Sequence, residues 1–221
     1  VYKIDMTTRT IAGESAVVGA NLEGIAVAGN KLYVCNSCSS DYTTYYKNVV
    51  ELNASTLAKN QDIEVVDDPV DVINAGSAIF ILSMGIYADK DKPATVQILK
   101  DGQLSTIGNA TMMAYDAYND QLYMINAPFG GDKEYKVYNL KNGQTTTFLT
   151  NPDIFSPYSL AVNPVNGDVF ITSSTKNPDT GYADYTADCK LYRYTSAGIL
   201  LGTYDCGVNP GTIVCDSYYQ K

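Results

Sequence analysis

The sequence predicts an all-β fold, and three observations carry that prediction. Residues suited to pleated, half-buried surfaces are over-used: 19 Tyr stand against 5 Phe and no Trp, and a Tyr ring packs while its hydroxyl stays wet. No stretch shows the apolar period of a helix. A strand-rich unit recurs roughly every 45 residues.

The repeat is clearest at its second strand. Leu32-Tyr33-Val34, Ile79-Phe80-Ile81, Leu122-Tyr123-Met124 and Val169-Phe170-Ile171 begin 47, 43 and 47 residues apart. Each follows a turn carrying Gly29-Asn30, Gly76-Ser77, Asn119-Asp120 or Asn166-Gly167, and Gly and Asn accept the positive φ of hairpin turns. Before each turn lies another apolar run: Gly24 to Val27, Val70 to Ile73, Met112 to Tyr115 and Ser159 to Val162. After each hairpin come a loop and an alternating third strand: Val49 to Leu52, Val96 to Leu99, Tyr135 to Tyr138 and Leu191 to Tyr194. A turn and a fourth strand follow, as at Thr145 to Leu149. Four antiparallel strands in such a unit are the signature of a β-propeller blade.

The spacing places blades at 21–65, 66–107, 108–153 and 154–207 of a single propeller domain, 1–221. Residues 1–20 align with the third and fourth strands of a blade, and 208–221 with a lone inner strand from Asn209 to Val214. Four full blades, a half-blade and a lone inner strand are therefore expected. A half-blade without its second strand leaves an open sheet edge, so either the ring closes on itself as a strained five-blade form or the chain is an N-terminally incomplete piece of a larger ring, and the second is the expectation.

Charge and composition narrow the function classes. The net charge is −9 and no Lys/Arg run exists, which disfavours nucleic acid and anionic membrane surfaces as partners. No apolar stretch approaches the length of a membrane-spanning helix. The chain has no His, which excludes a His-based triad and His-ligated metals. Scattered carboxylates leave a lyase or hydrolase open, but no spacing favours one pair, and an enzyme is not expected. Gly130-Gly131 lacks the strand-then-helix context of a phosphate loop. Asp179, Asp184 and Asp188 match no EF-hand pattern. No cofactor and no metal-ligand set is predicted.

Five cysteines, Cys35, Cys38, Cys189, Cys206 and Cys215, are an odd number, which argues against a complete disulfide framework. Cys35-Asn36-Ser37-Cys38 has the spacing of a redox or metal pair. A structural zinc site needs four ligands, and no second such pair supplies them. Small buried thiols at the end of a strand are the simpler reading.

The candidate binding surface comes from loop length. The second-to-third-strand loops, roughly Asn36 to Asn48, Ser83 to Ala94, Asn126 to Glu134 and Ser173 to Asp188, are long, whereas the hairpin turns are short. In a propeller these loops share one face with the blade-to-blade loops, and long loops on a rigid scaffold carry binding. They hold Tyr42, Tyr45, Tyr46, Tyr87, Phe129, Tyr182 and Tyr185. Such rings offer flat apolar faces at low entropic cost, so these seven are the candidate ligand-binding residues. The competing reading has the rings pack over the blade tops.

Two segments carry a family resemblance. Leu22-Glu23-Gly24-Ile25-Ala26-Val27-Ala28-Gly29-Asn30-Lys31-Leu32-Tyr33-Val34, followed by Asn36-Ser37, resembles the YVTN-type (YncE-like) repeat. So does Pro157-Tyr158-Ser159-Leu160-Ala161-Val162-Asn163-Pro164-Val165-Asn166-Gly167-Asp168-Val169-Phe170-Ile171-Thr172. The whole chain is similar to the C-terminal part of surface lipoprotein propellers of gut anaerobes. That resemblance implies a ring of about seven blades, an exported precursor with a lipid anchor, and a place at the cell surface or in the periplasm. One branch resembles the cobalamin-capturing partners of outer-membrane transporters. The implied partner is thus a small molecule or a protein, an outer-membrane transporter among the candidates. The matching motifs are fold motifs, which transfer architecture better than function. The expected role is a non-enzymatic, extracytoplasmic binding propeller. A carboxylate-based lyase or hydrolase at the channel mouth, or a structural surface-layer element, are the alternatives.

Overall fold

Strands are the only regular elements of the computed structural model, which describes residues 1–87 and 89–215. Nineteen strands and no helix occur among the described residues. The chain divides into two compact units after Asn109.

The first unit opens with a hairpin of β1 (Tyr2–Asp5) and β2 (Thr10–Glu14). The Asp5 carboxylate accepts the Thr7 and Thr8 N–H groups at 2.7 and 3.0 Å, which folds the turn locally. Next come β3 (Leu22–Ala28), β4 (Lys31–Cys38), β5 (Tyr45–Asn53) and β6 (Lys59–Glu64), then β7 (Pro69–Asn74), β8 (Ile79–Ser83), β9 (Thr95–Lys100) and β10 (Gln103–Asn109). Each set of four forms one antiparallel sheet in chain order.

Alternation along β4 explains its uninterrupted apolar run. Tyr33 and Cys35 join a core with Val49, Val72 and Ile81, while Leu32 and Val34 join another with Val50, Leu52 and Leu57. Successive side chains point to opposite faces, and here both faces are covered. Gly24 in β3 meets β7 closely: a Cβ there would stand 2.6 Å from the Asp71 Cα and 2.8 Å from the Val70 carbonyl oxygen. Only a residue without a side chain permits that approach. Asn74 adds a side-chain hydrogen bond to the Val27 carbonyl at 2.7 Å.

The second unit repeats the pattern. Strands β11 (Met112–Asp116), β12 (Gln121–Asn126), β13 (Glu134–Asn139) and β14 (Gln144–Leu149) form one sheet in chain order. The next sheet holds β15 (Ser156–Val162), β16 (Val169–Lys176), β18 (Cys189–Tyr194) and β19 (Leu200–Cys206), with the short β17 (Ala183–Asp184) paired to the end of β16. Tyr123, Ile125, Tyr135 and Leu149 pack with Val169, Ile171 and Tyr194 in one core. Phe148 meets Tyr123 edge-on at 4.7 Å between ring centroids, a favoured aromatic geometry.

Residues 207–215 pair into no sheet. The lone inner strand expected from Asn209 to Val214 is instead a segment tethered by side chains. The Pro210 carbonyl accepts from the Ser159 and Thr172 hydroxyls at 3.0 and 2.9 Å. Asn209 adopts φ of 51°, and Pro210 has no N–H to offer a ladder.

The two cysteines of the C-x-x-C both lie in β4, buried and free. Three steps along a strand span about 10 Å, beyond the roughly 7 Å limit between the Cα atoms of a disulfide. Strand geometry therefore favours the reading as packed thiols. Cys189 and Cys206 face each other across β18 and β19 and are likewise free.

Candidate functional site: the aromatic loops

In the first unit, the β4–β5 loop is built around Asp41. Its carboxylate accepts from the Ser39 and Thr43 hydroxyls at 2.6 and 2.8 Å and from the Thr43 N–H at 3.2 Å. Those bonds, Ser39 first, hold the Asp41 carboxyl below its usual range. Tyr42 follows in the left-handed region, φ 57°, with 71% of its surface exposed. The loop thus presents this ring to solvent at some local backbone cost.

Tyr45 and Tyr46 are not loop residues. Both belong to β5 and are half-buried, with Tyr45 opposite Cys38. The ladder runs past Asn36 through an irregular register and captures them. Tyr46 is further fixed because its carbonyl accepts the Asp68 N–H at 2.8 Å.

The β8–β9 loop closes on itself. The Ile86 N–H donates to the Lys92 carbonyl at 3.0 Å, and the Asp91 N–H to the Asp89 carboxylate at 3.0 Å. Gly85 has φ of 71°, and a Cβ there would stand 2.1 Å from the Lys92 oxygen. Tyr87 is 80% exposed on this loop. The segment between β6 and β7 anchors the surroundings: the buried Asp68 carboxylate accepts from the Ser37 hydroxyl at 2.6 Å. The Asp67 and Asp68 carbonyls accept the Gly85 and Met84 N–H groups.

In the second unit the structure brings predicted residues together. Phe129 on the β12–β13 loop is 82% exposed, and Tyr182 on the β16–β17 hairpin 65% exposed. Their rings stack at 6.2 Å with 13° between planes. The hairpin is set by Asn177, whose side-chain oxygen accepts the Asp179 and Thr180 N–H groups at 2.9 and 3.1 Å. Tyr185 is 59% exposed just beyond β17, and its carbonyl accepts from the Asn209 side chain at 3.3 Å. Asp184, held below its usual range by Thr186, serves this loop internally.

The Phe129 loop also borders a cavity of about 360 Å³ lined by Gly131, Asp132, Lys133, Tyr135, Asn151, Pro152 and Ile154. Beside it, Lys133 and Lys176 both approach the Phe155 ring, at 5.8 and 5.9 Å from its centroid. Lys133, Tyr135, Phe155 and Lys176 were not predicted from the sequence. The signal available was position: Phe155 lies in a blade-to-blade segment, which shares a face with the long loops.

At the turn end of the first unit lies a second cavity, of about 410 Å³, whose lining includes Lys31, Tyr33, Glu51, Asp62, Leu99 and Leu104. Glu51 is buried there and accepts from Lys31 at 3.0 Å, Asn60 at 3.1 Å and Gln61 at 3.2 Å. Burial pushes its carboxyl up, but these donors outweigh burial and hold it below the usual value. With both oxygens engaged, Glu51 reads as a structural ion pair rather than a free acid. Asp116 and Asp168 are similarly occupied, by Asn119 and Arg193. No three Cys, Asp or Glu side chains converge as a metal-ligand set among the described residues. No helix of the described residues is long and apolar enough to cross a membrane.

No protein-family profile and no curated protein sequence matches the chain. Solved structures do. A quinonprotein alcohol dehydrogenase-like protein from Bacteroides thetaiotaomicron matches at TM-score 0.59 and 14% identity, over 92% of this chain and 50% of that one. An auxiliary nutrient binding protein from the same organism matches at TM-score 0.56 and 12% identity, over 88% and 44%. The β-propeller domain of the Trilobed protease from Pyrococcus furiosus matches at TM-score 0.57 and 11% identity, over 84% and 57%. The chain spans about half the length of these structures. At such identities the likeness carries the fold alone. With three four-stranded antiparallel sheets, a fourth that carries the short β17 as a fifth strand, and no helix among the described residues, the chain has a β-propeller fold.

Proposed function

We propose that the protein is a non-enzymatic binding propeller that captures a small molecule or a partner protein with its long aromatic loops. The observation that carries this reading is the stacked Phe129–Tyr182 pair, two exposed rings from loops of successive blades, next to a cavity. Exposed aromatic pairs of this kind bury well against a rigid ligand at low entropic cost. The engaged state of the buried carboxylates Glu51, Asp68, Asp116 and Asp168 supports binding over catalysis. The placement that fits is extracytoplasmic, on YVTN-type blades, as an accessory to an outer-membrane nutrient transporter. A solved propeller of similar fold is an auxiliary nutrient binding protein.

A thermal-shift screen of vitamins, glycans and peptides tests the reading, since a ligand that binds only the folded state raises the melting temperature. At least one compound should stabilise the wild type and leave a variant with Tyr42, Tyr87, Phe129 and Tyr182 all changed to Ala unaffected. The variant should melt within about 2 °C of the wild type without ligand, because exposed rings contribute little to stability. A compound that is chemically converted, or that stabilises both proteins equally, would refute it.

A further inference from the structure

Two of the five cysteines meet across one ladder. Cys189, the first residue of β18, stands directly opposite Cys206, the last residue of β19. Directly paired residues of an antiparallel ladder send their side chains to the same face. Their Cα atoms lie about 4.5–5.5 Å apart, inside the range of about 4.4–6.8 Å that a disulfide spans. The Cβ atoms of such a pair must close by about 1 Å to bridge. Both cysteines sit at the end of the ladder, where strands yield most readily. Among the described residues the other thiols have no such partner: Cys35 faces Val49, Cys38 faces Tyr45 and Cys215 belongs to no sheet.

The two thiols differ in access. Cys189 is fully buried, and its thiol donates to the Ala187 carbonyl at 3.7 Å. A bridge gives up only that weak contact. Cys206 is half-buried and is the thiol that a reagent meets first. Burial pushes it up, with Cys189, Asp188 and Asp205 adding to the shift and Lys190 opposing it. A thiol held up in this way leaves slowly, so its disulfide resists reduction.

We propose that Cys189 and Cys206 form a latent disulfide, closed by exchange with a small external disulfide of the glutathione class. The Cys206 thiolate attacks one sulfur of glutathione disulfide and expels one glutathione. The Cys189 thiolate then attacks the Cys206 sulfur of the mixed disulfide and expels the second. This second step is the slower, because the buried thiol must turn from Ala187. The protein loses two electrons to the reagent, and its two thiol protons end on the two glutathiones. Oxidising compartments keep such bridges, in keeping with the extracytoplasmic placement proposed above. The bridge would pin a loop at both supports. Cys189 follows the loop that carries Tyr182 and Tyr185, and Cys206 leads into Asn209, whose side chain donates to the Tyr185 carbonyl at 3.3 Å.

The test is incubation of the whole reduced protein with glutathione disulfide, then digestion and mass spectrometry without reduction. Peptides joined through Cys189 should form in the wild type and in Cys215→Ser alike, and should be absent from Cys206→Ser. Both variants replace half-buried thiols, so the fold is kept. The oxidised wild type should melt on the order of 5 °C above the reduced protein, because the bridge closes a loop of 17 residues in the unfolded chain, from 189 to 206. Cys206→Ser should show no such rise. Glutathione left on Cys206 with Cys189 still free, a bridge from Cys206 to Cys215, or linkage only between molecules would overturn the proposal. The chemistry needs no ligand, so its outcome is independent of the binding function.

Discussion

Glu51 is a carboxylate inside a sheet, and it makes the fold sensitive to acid. Its folded pKa lies below the ordinary value. A depressed carboxyl contributes stability that is present above its unfolded pKa and is lost as pH falls through the folded one. Stability should therefore decline below about pH 4.5, the region where free glutamate titrates. Glu51→Gln should cost about 1 kcal/mol at pH 7, because the exposed donors Lys31, Asn60 and Gln61 lose a charged acceptor but regain water. It should also flatten the acid limb. Urea midpoints at pH 7, 5 and 3 measure both effects, and parallel pH profiles for variant and wild type would count against this role. At the same scale, Gly85→Ala forces a side chain into left-handed backbone and against the Lys92 carbonyl. It should cost about 1–3 kcal/mol or open the loop locally, read as a lower urea midpoint or faster proteolysis near Tyr87. Single residues were unevenly legible. Tyr42, Tyr87, Phe129, Tyr182 and Tyr185 are exposed as loop composition suggested. Tyr45 and Tyr46 are not, because β5 starts at Tyr45, four residues before the Val49 start that the sequence suggests.

At the scale of elements, the second strands announced themselves. Leu32 to Cys35 is apolar throughout because one core takes Tyr33 and Cys35 and another takes Leu32 and Val34, and in the second unit Tyr123 and Ile125 face a core shared with Val169 and Ile171. Strand β17 was hidden inside a stretch read as loop. Its signal was the Asn177-Pro178-Asp179-Thr180-Gly181 turn, whose Asn oxygen caps two N–H groups. Burial within elements also sets thiol chemistry. Cys35, Cys38 and Cys189 are buried, whereas Cys206 and Cys215 are half-buried. Burial pushes the Cys35 thiol far up, with Asp71 and Glu23 adding to it, so its thiolate is scarce. An aromatic disulfide reagent should label Cys206 and Cys215 in the native protein and all five only after denaturation. Native labelling of Cys35 or Cys38 as fast as Cys215 would contradict the strand placement.

For the whole molecule, the repeat made the architecture readable, because each blade must bury the same faces with the same strands. The candidate site was legible only as composition. The stack of Phe129 on Tyr182 joins residues from different sheets, and no local pattern records such a meeting. The Lys133–Phe155–Lys176 cluster was invisible for the same reason. The central claim is that ligands meet the long-loop end of the blades rather than the turn end. The most direct measurement is a fluorine NMR titration of protein carrying 3-fluorotyrosine at its 19 Tyr positions, using a compound that raises the melting temperature. Resonances of Tyr182 and Tyr185 should move, while Tyr33, in the turn-end cavity of the first unit, stays fixed. Movement of Tyr33 with the loop tyrosines unchanged would contradict the account.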